Sequence, residues 1–419
     1  QVINSDAFAG CSSLTKISIP SSVDAIGDSA FEGCSLLTEI EIPPSVTSIG
    51  QCAFRECSSL KAIVVPSNVS VIKNSTFSGC SSLTQILFNS PSTLTKIEDS
   101  AFHGCSSLSG IELPPTVTLI GWLSFDGCSS LTEIAFPPSI ESIGCFAFKN
   151  CPQLSKISIS SASLSVGSKV FEGCKSIEIS SDNDTIPNNI CKGCTSLTQI
   201  KISESIVEIG KSSFEDCSLL TEISIPLSVR SIGDYAFKGC SALTEIKLPS
   251  SLSSIKSFVF CGCSNLKKIE IPSSVESINN YAFKDCKSLD KIEIPESVTS
   301  IGDNAFEGCS KLQAIHIPSS VEFVGDSAFE GCTQLTDVSI PFSLKYIPNR
   351  FLRGCSLLAE ISIPNSINSI GNSSFEGCTS LKSISLSKHI VSIGCSAFDG
   401  CTALDSIKIL KSVNYIGEG

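Results

Sequence analysis

The feature that most constrains this chain is a cysteine that returns every 23 residues. It runs from Cys11, Cys34 and Cys57 through to Cys378 and Cys401, eighteen times in 419 residues. A fixed period of this length means one small structural unit stacked on copies of itself. The spacing departs from 23 at two places. It is 25 from Cys80 to Cys105, where Asn89-Ser90-Pro91-Ser92-Thr93 adds residues, and 20 from Cys174 to Cys194, where Lys175-Ser176-Ile177 lacks the usual Leu-Thr-x. Arrays grow by addition, so this length does not imply two or three domains. The chain reads as a single array of about 18 units over 1–419, irregular near 89–94 and 152–205. It opens and closes inside a repeat, so it reads as a piece truncated at both ends.

Each unit reads alike. In Leu14-Thr15-Lys16-Ile17-Ser18-Ile19 the apolar residues alternate with polar ones, the signature of a half-buried strand. Pro20 stops it, because proline cannot donate to a ladder. Val23-x-x-Ile26-Gly27 is a second short apolar segment. Asp28-Ser29-Ala30-Phe31-Glu32-Gly33 reads as one or two helical turns with Asp28 as N-cap, a place held elsewhere by Asn74, Asp99, Asp234, Asp303, Asp326 and Asn372. The Gly before each ladder cysteine is replaced only by Glu56, Asn150, Asp216 and Asp285, which predicts a positive φ there. The Gly after Ile26 becomes Pro187 and Pro348, which predicts an ordinary φ. One unit cannot bury Leu14, Ile17, Ile19, Val23, Ile26, Phe31 and Cys34 alone, so stacked neighbours must supply continuous ladders.

The pattern Leu14-x-x-Ile17-x-Ile19-Pro20-x-x-Val23-x-x-Ile26-Gly27-x-x-Ala30-Phe31-x-x-Cys34 resembles the BspA-like leucine-rich repeats, the 23-residue Treponema type, over essentially the whole chain. The resemblance implies a repeat solenoid: a right-handed leucine-rich-repeat coil with a parallel β-sheet on the concave face and short helical turns or second short strands elsewhere. In that family such arrays are common on bacterial surfaces and expanded in trichomonad parasites, and they are associated with adhesion to host cells, matrix proteins or other microbes. It brings no catalytic residues. The implied function is non-enzymatic binding of a protein or glycan by a surface or secreted adhesin-like scaffold. The alternative is an intracellular structural protein packing laterally in a larger complex.

The chemistry excluded is broad. A net charge of -12 argues against nucleic acid as a partner. No apolar run approaches the ~18 residues of a membrane span, so no direct membrane insertion is expected in this segment. His103, His316 and His389 fall in distant repeats and cannot converge. There is no nucleophile elbow, P-loop or dinucleotide fingerprint, and no cofactor or metal is expected. The ladder cysteines have parallel Cβ vectors, which suits packed thiols better than disulfides. Cys191-Lys192-Gly193-Cys194 is formally C-x-x-C, but Cys191 replaces the core Phe, so zinc or redox chemistry is not expected. Cys52, Cys145, Cys261 and Cys395 lie off the ladder; of these, Cys145 and Cys395 sit at the usually polar cap position, where exposed thiols are possible. The sequons at Asn68, Asn74, Asn183 and Asn372 do not decide localisation.

Function must therefore be written where the repeat leaves residues free. On the strand face, Glu245/Lys247 and Lys268/Glu270 swap sign, which places Glu245 beside Lys268 and Lys247 beside Glu270. Toward the N-terminus the same face carries Ala62, Val64, Gln85 and Leu87, then Glu112 and Ala135, and Val64 and Leu87 are candidate contacts. Before the turn, where Asp-Ser is usual, stand Trp122, Leu123, Phe146, Tyr235, Phe258 and Tyr281. Trp122, Phe146, Tyr235, Phe258 and Tyr281 are candidates for lateral contact with a partner or a second copy; the other reading is that they shield neighbouring turns.

Overall fold

The computed structural model describes residues 1–161 and 163–419. It divides into two compact units, Gln1–Ile206 and Val207–Gly419. Each is a parallel β-solenoid with no helix among the described residues.

The polypeptide path of one coil follows from its sequence. In Glu39–Glu41 the central Ile40 is buried and both glutamates are exposed. Pro43 ends that segment and starts a corner, where its carbonyl accepts the Val46 N–H at 3.0 Å. Ser48–Ile49 is the second strand, with Ile49 buried. A further corner closes at Cys34, whose carbonyl accepts the Leu37 N–H. Val46, Ile49, Phe54, Cys57 and Leu60 have no exposed surface, so the interior of this coil is apolar; Thr76, Ser124, Ser213 and Ser374 are buried in other coils.

In the first unit Lys16–Ser18 pairs with Glu39–Glu41, and Ala62–Val65 with Gln85–Phe88. The second strands Val71–Ile72, Lys96–Ile97, Leu119–Ile120, Ser142–Ile143 and Ser165–Val166 form one five-stranded sheet. In the second unit Glu245–Lys247 pairs with Lys268–Glu270, and Ser254–Ile255, Ser277–Ile278, Ser300–Ile301 and Phe323–Val324 make a four-stranded sheet. All pairings are parallel, because every strand is the same element of a successive coil.

The segment expected to be helical is not. Residues 29, 31 and 33 send their N–H groups to the carbonyls of Gln51, Ala53 and Arg55 in the next coil, at 2.8–2.9 Å. The intervening N–H groups of Glu32 and Cys34 close i→i+3 turns on Ser29 and Phe31. An α-helix would spend these donors within itself. Stacking offers them equivalent carbonyls one coil on, and positive φ at Ser29 (52°) and Gly33 (73°) breaks any helical run. Asp28 is accordingly no N-cap. Its Oδ1 accepts the N–H of Gln51, and Asn74, Asp99, Asp234, Asp303, Asp326 and Asn372 each accept the equivalent N–H of the following coil. These Asp and Asn side chains are struts between coils.

The two glycine positions behave as expected. Gly33 and its equivalents have positive φ, as do Glu56, Asn150, Asp216 and Asp285. The other position has ordinary φ and serves close approach: a Cβ on Gly121 would stand 2.6 Å from the Asp99 nitrogen. At Gly331 a Cβ would meet Gly308 Cα at 3.6 Å, an ordinary contact, so only φ opposes a side chain. Gly331→Ala is expected to cost about 1 kcal/mol. A urea midpoint equal to that of the parent chain would refute this.

The irregular stretch has a backbone explanation. Ser203 stands where proline is usual, and its N–H donates to the Ile179 carbonyl at 3.0 Å, a bond proline cannot make. Without proline at Ser180 the strand Ser176–Ser181 runs six residues. The shortened coil shifts the pairing, so Lys156 faces Glu178 while Ser176 faces Gln199. The shift is by two residues, which keeps Ile177 and Ile179 inside.

Two core ladders hold the coils in register. In the first unit Phe8, Phe31, Phe54, Phe77, Phe102, Phe125, Phe148 and Phe171 stack with centroids 5.0–5.7 Å apart. In the second, Phe214, Phe237, Phe260, Phe283, Phe306 and Phe329 do the same. Beside them, ladder thiols donate to the Phe carbonyl of the preceding coil, as Cys57 does to Phe31 and Cys263 to Phe237, both at 3.2 Å, and Cys378 donates to the Leu352 carbonyl where Leu replaces Phe. The Phe31 carbonyl already accepts the Cys34 N–H, so the Cys57 thiol is a second donor to it, which alanine could not supply. All the cysteines are free thiols. Burial pushes the thiols up, to about 12 at Cys57, Cys151, Cys332 and Cys378.

Candidate functional site

The outward strand positions are the least constrained side chains of each coil, because packing specifies only the residues between them. In the second unit the register is as expected: Glu245 faces Lys268 and Lys247 faces Glu270. The ion pairs form along the strand instead, Lys268 with Glu270 and Lys291 with Glu293, both at 2.9 Å. All four side chains are well exposed, so this face is solvated and self-neutralising.

In the first unit the face changes character. Val64 and Leu87 are register neighbours, 40% and 47% exposed. Next to Leu87 lies a recess of about 1040 Å³, lined by Gln85, Leu87, Gly110, Glu112, Ala135 and Lys156 among others. Gly110 creates it. A Cβ there would meet nothing within 4 Å, and residues 109–113 form no strand between Gln85–Phe88 and Glu133–Phe136. The recess therefore has an apolar wall at Leu87, a bare floor at Gly110 and Ala135, and charges of both signs at Glu112, Glu133 and Lys156. Composition signalled Leu87 and Ala135; the missing side chain at Gly110 was the readable clue to the recess itself.

The lateral candidates separate into two groups. Trp122 is 48% exposed, and no ring stacks on it among the described residues. Phe146 is half-buried beneath Lys149 and Lys169, at 5.4 and 5.9 Å from its centroid. In the second unit Tyr235, Phe258 and Tyr281 form a column with centroids 4.7 and 4.4 Å apart and planes within 10°. Lys211 and Lys238 lie over Tyr235, and Lys284 over Tyr281. Ring faces are thus taken by other rings and by cations, and edges are left to solvent. Phe146, Tyr235, Phe258 and Tyr281 all have positive φ, which sequence reading missed because this position tolerates Ser, Lys and Arg equally.

A charged ladder runs beside the column. Lys238 binds Glu215 at 3.1 Å, Lys284 binds Glu307 at 2.8 Å, and Arg353 bridges Glu330 and Glu376. Hydrogen bonding to the carboxylates raises the pKa of Lys238 and Lys284. His103 pairs with Asp126 at 3.3 Å. Cys52, Cys145, Cys261 and Cys395 are half-buried, while Cys191 is buried in the core. Among the described residues no group of three or more His, Cys, Asp or Glu is placed to hold a metal, and no helix is long and apolar enough to cross a membrane.

Parallel coils with a Leu-x-x-Ile-x-Ile strand, one per 23 residues, define a leucine-rich-repeat solenoid. The chain belongs to the BspA type leucine rich repeat family, whose model matches residues 1–121, 87–190, 184–313 and 299–419. Solved structures it is similar to include a leucine-rich repeat protein from Bacteroides ovatus, 26% identical over 96% of this chain and 91% of that one, with a TM-score of 0.45. A leucine-rich repeat protein from Eubacterium ventriosum is 25% identical over 69% and 81%, with a TM-score of 0.46. A leucine rich cell surface protein from Faecalibacterium prausnitzii is 24% identical over 97% and 86%, with a TM-score of 0.34. No curated protein sequence matches the chain. Leucine-rich-repeat proteins are generally protein-binding scaffolds, and this family is generally non-catalytic.

Proposed function

We propose that the chain is a non-enzymatic, adhesin-like scaffold, displayed at a surface or secreted, that engages a protein or glycan over its outward strand positions. The observation that carries this reading is the recess at Gly110 with Leu87 on its wall and Val64 beside it. An apolar patch open to solvent on an otherwise polar face is a recognisable contact surface, and its mixed charges supply polar anchoring around an apolar centre. Family membership supports binding as the general role.

Two measurements test it. Surface biotinylation of intact cells should label the protein; absence of label, with the protein confirmed present, would sink surface display. Beads coated with the full chain should attach to cultured epithelial cells, and Leu87→Asp combined with Val64→Asp should cut attachment at least fivefold. These side chains are exposed, so the fold is retained. Beads that fail to attach, or attach equally well with the double variant, would overturn the assignment of this face.

A second reading, lateral packing in an intracellular assembly, is favoured by one observation: every cysteine is a free thiol. Recovery of N-glycan at Asn68 would exclude it.

A further inference from the structure

In the second unit the outward position of the second strand holds a different feature. Ser231, Ser254, Ser277 and Ser300 occupy it in turn, with a ring, Phe323, at one end only. Beyond Phe323 the ladder reads Tyr346, Ser369, Ser392, Tyr415, each facing the next in parallel register. Two tyrosines thus bracket two serines. Three ladder steps separate the rings, roughly 14 Å at ~4.8 Å per strand. Both rings are accessible, Tyr346 at 40% and Tyr415 at 55%. Between them lies a recess of about 340 Å³, whose lining also includes Asp326, Asn349 and Asn372.

The polar groups of this recess are only partly used. Asn349 is committed: its Oδ1 accepts the Asn372 N–H and its Nδ2 donates to Asp326 Oδ2. Asn372 Oδ1 accepts the Cys395 N–H at 2.8 Å. Among the described residues, Asn372 Nδ2 and the hydroxyls of Ser369 and Ser392 make no hydrogen bond with protein. No Lys or Arg lines the recess, and its one carboxylate, Asp326, already accepts from the Asn349 backbone and side chain.

We propose that this notch binds a short neutral saccharide. The apolar C–H face of a pyranose stacks on an exposed tyrosine ring, and its hydroxyls both donate and accept. Ser369 and Ser392 can do either, and Asn372 Nδ2 donates. The absence of a lining cation disfavours phosphate or a carboxylated sugar, which would need charge-assisted partners. The recess falls at the low end of the size range of small-molecule sites, and its two walls are far enough apart for two sugar rings. It shares no residue with the strand-face recess of the first unit, so each proposal stands or falls alone.

Saturation-transfer NMR on the full chain with lactose, cellobiose and maltose tests it. Saturation should reach at least one of the three disaccharides. Tyr346→Ala and Tyr415→Ala should each weaken that disaccharide at least tenfold. Ser369→Trp, which fills the trough while leaving both tyrosines, should abolish transfer. Tyr235→Ala, in a separate column, should leave it unchanged. No transfer to any of the three sugars, or transfer that survives both tyrosine variants and Ser369→Trp, would overturn the proposal.

Discussion

The reduced chain is expected to lose its fold steeply between pH 8.5 and 10.5. Thirteen ladder thiols, six in the first unit and seven in the second, are pushed up far by burial, and Cys34 and Cys401 also move up. An unfolded cysteine titrates near ~8.5. Above that pH the unfolded chain releases protons that the native chain keeps, so the unfolded state binds fewer protons and stability falls as pH rises. The contribution is fully present below the unfolded value and is lost as pH climbs toward the folded one, about 12 at Cys57, Cys151, Cys332 and Cys378. Each thiol contributes on the order of 1 kcal/mol per pH unit across this window. A few of them acting together exceed the ~5–15 kcal/mol that stabilises an ordinary domain. Thermal unfolding followed by circular dichroism, with a phosphine reductant present, should show the midpoint dropping by about 10 °C or more between pH 8 and pH 10. Cys309→Ala and Cys332→Ala together should make that dependence measurably shallower, by about two thiols' share, with the remaining buried thiols keeping the rest. A midpoint that holds to pH 10.5 would mean the thiols are not buried, as would native-state labelling by a thiol reagent at the unfolded rate.

Replacing Phe237 by alanine should destabilise the second unit by about 3–5 kcal/mol. The ring has no exposed surface and lies between Phe214 and Phe260, at 5.4 and 5.7 Å. Removing it opens a cavity and interrupts a column, so both neighbours lose stacking contacts. Phe237→Leu should cost much less, because Leu352 already holds the equivalent place in the coil directly after Phe329, where Phe351 turns edge-on to Phe329 at 84°. Repeat arrays do not always unfold in two states, so amide exchange of the flanking coils should accompany the denaturation curve. An unchanged midpoint and unchanged protection would show that the column does not carry the stack.

The binding surfaces were legible only in part. Val64 and Leu87 stand out because apolar residues occupy outward strand positions, and the structure makes them neighbours on the exposed face. Tyr235, Phe258 and Tyr281 were visible as aromatics at polar positions, yet only their stacking reveals that their faces are already occupied. Tyr346 and Tyr415 carry no signal in the sequence, since each is one aromatic in a variable position. They become a pair of walls only when the 23-residue period aligns them across Ser369 and Ser392.

The sequence by itself determined the repeat, the parallel strands, the buried Leu, Ile, Val, Phe and Cys ladders, and the positive φ before each ladder cysteine. These follow from period and side-chain chemistry, which are local properties repeated along the chain. What only the tertiary structure decided is where the unspent backbone and side-chain groups of each coil go. Asp28 looks like a helix cap in sequence because its own turn is all that sequence displays. In the fold its acceptor serves Gln51 in the next coil, and the N–H groups of Ser29, Phe31 and Gly33 go there too. A stack offers every donor an equivalent acceptor about 4.8 Å away, and that alternative exists only once the coils have met.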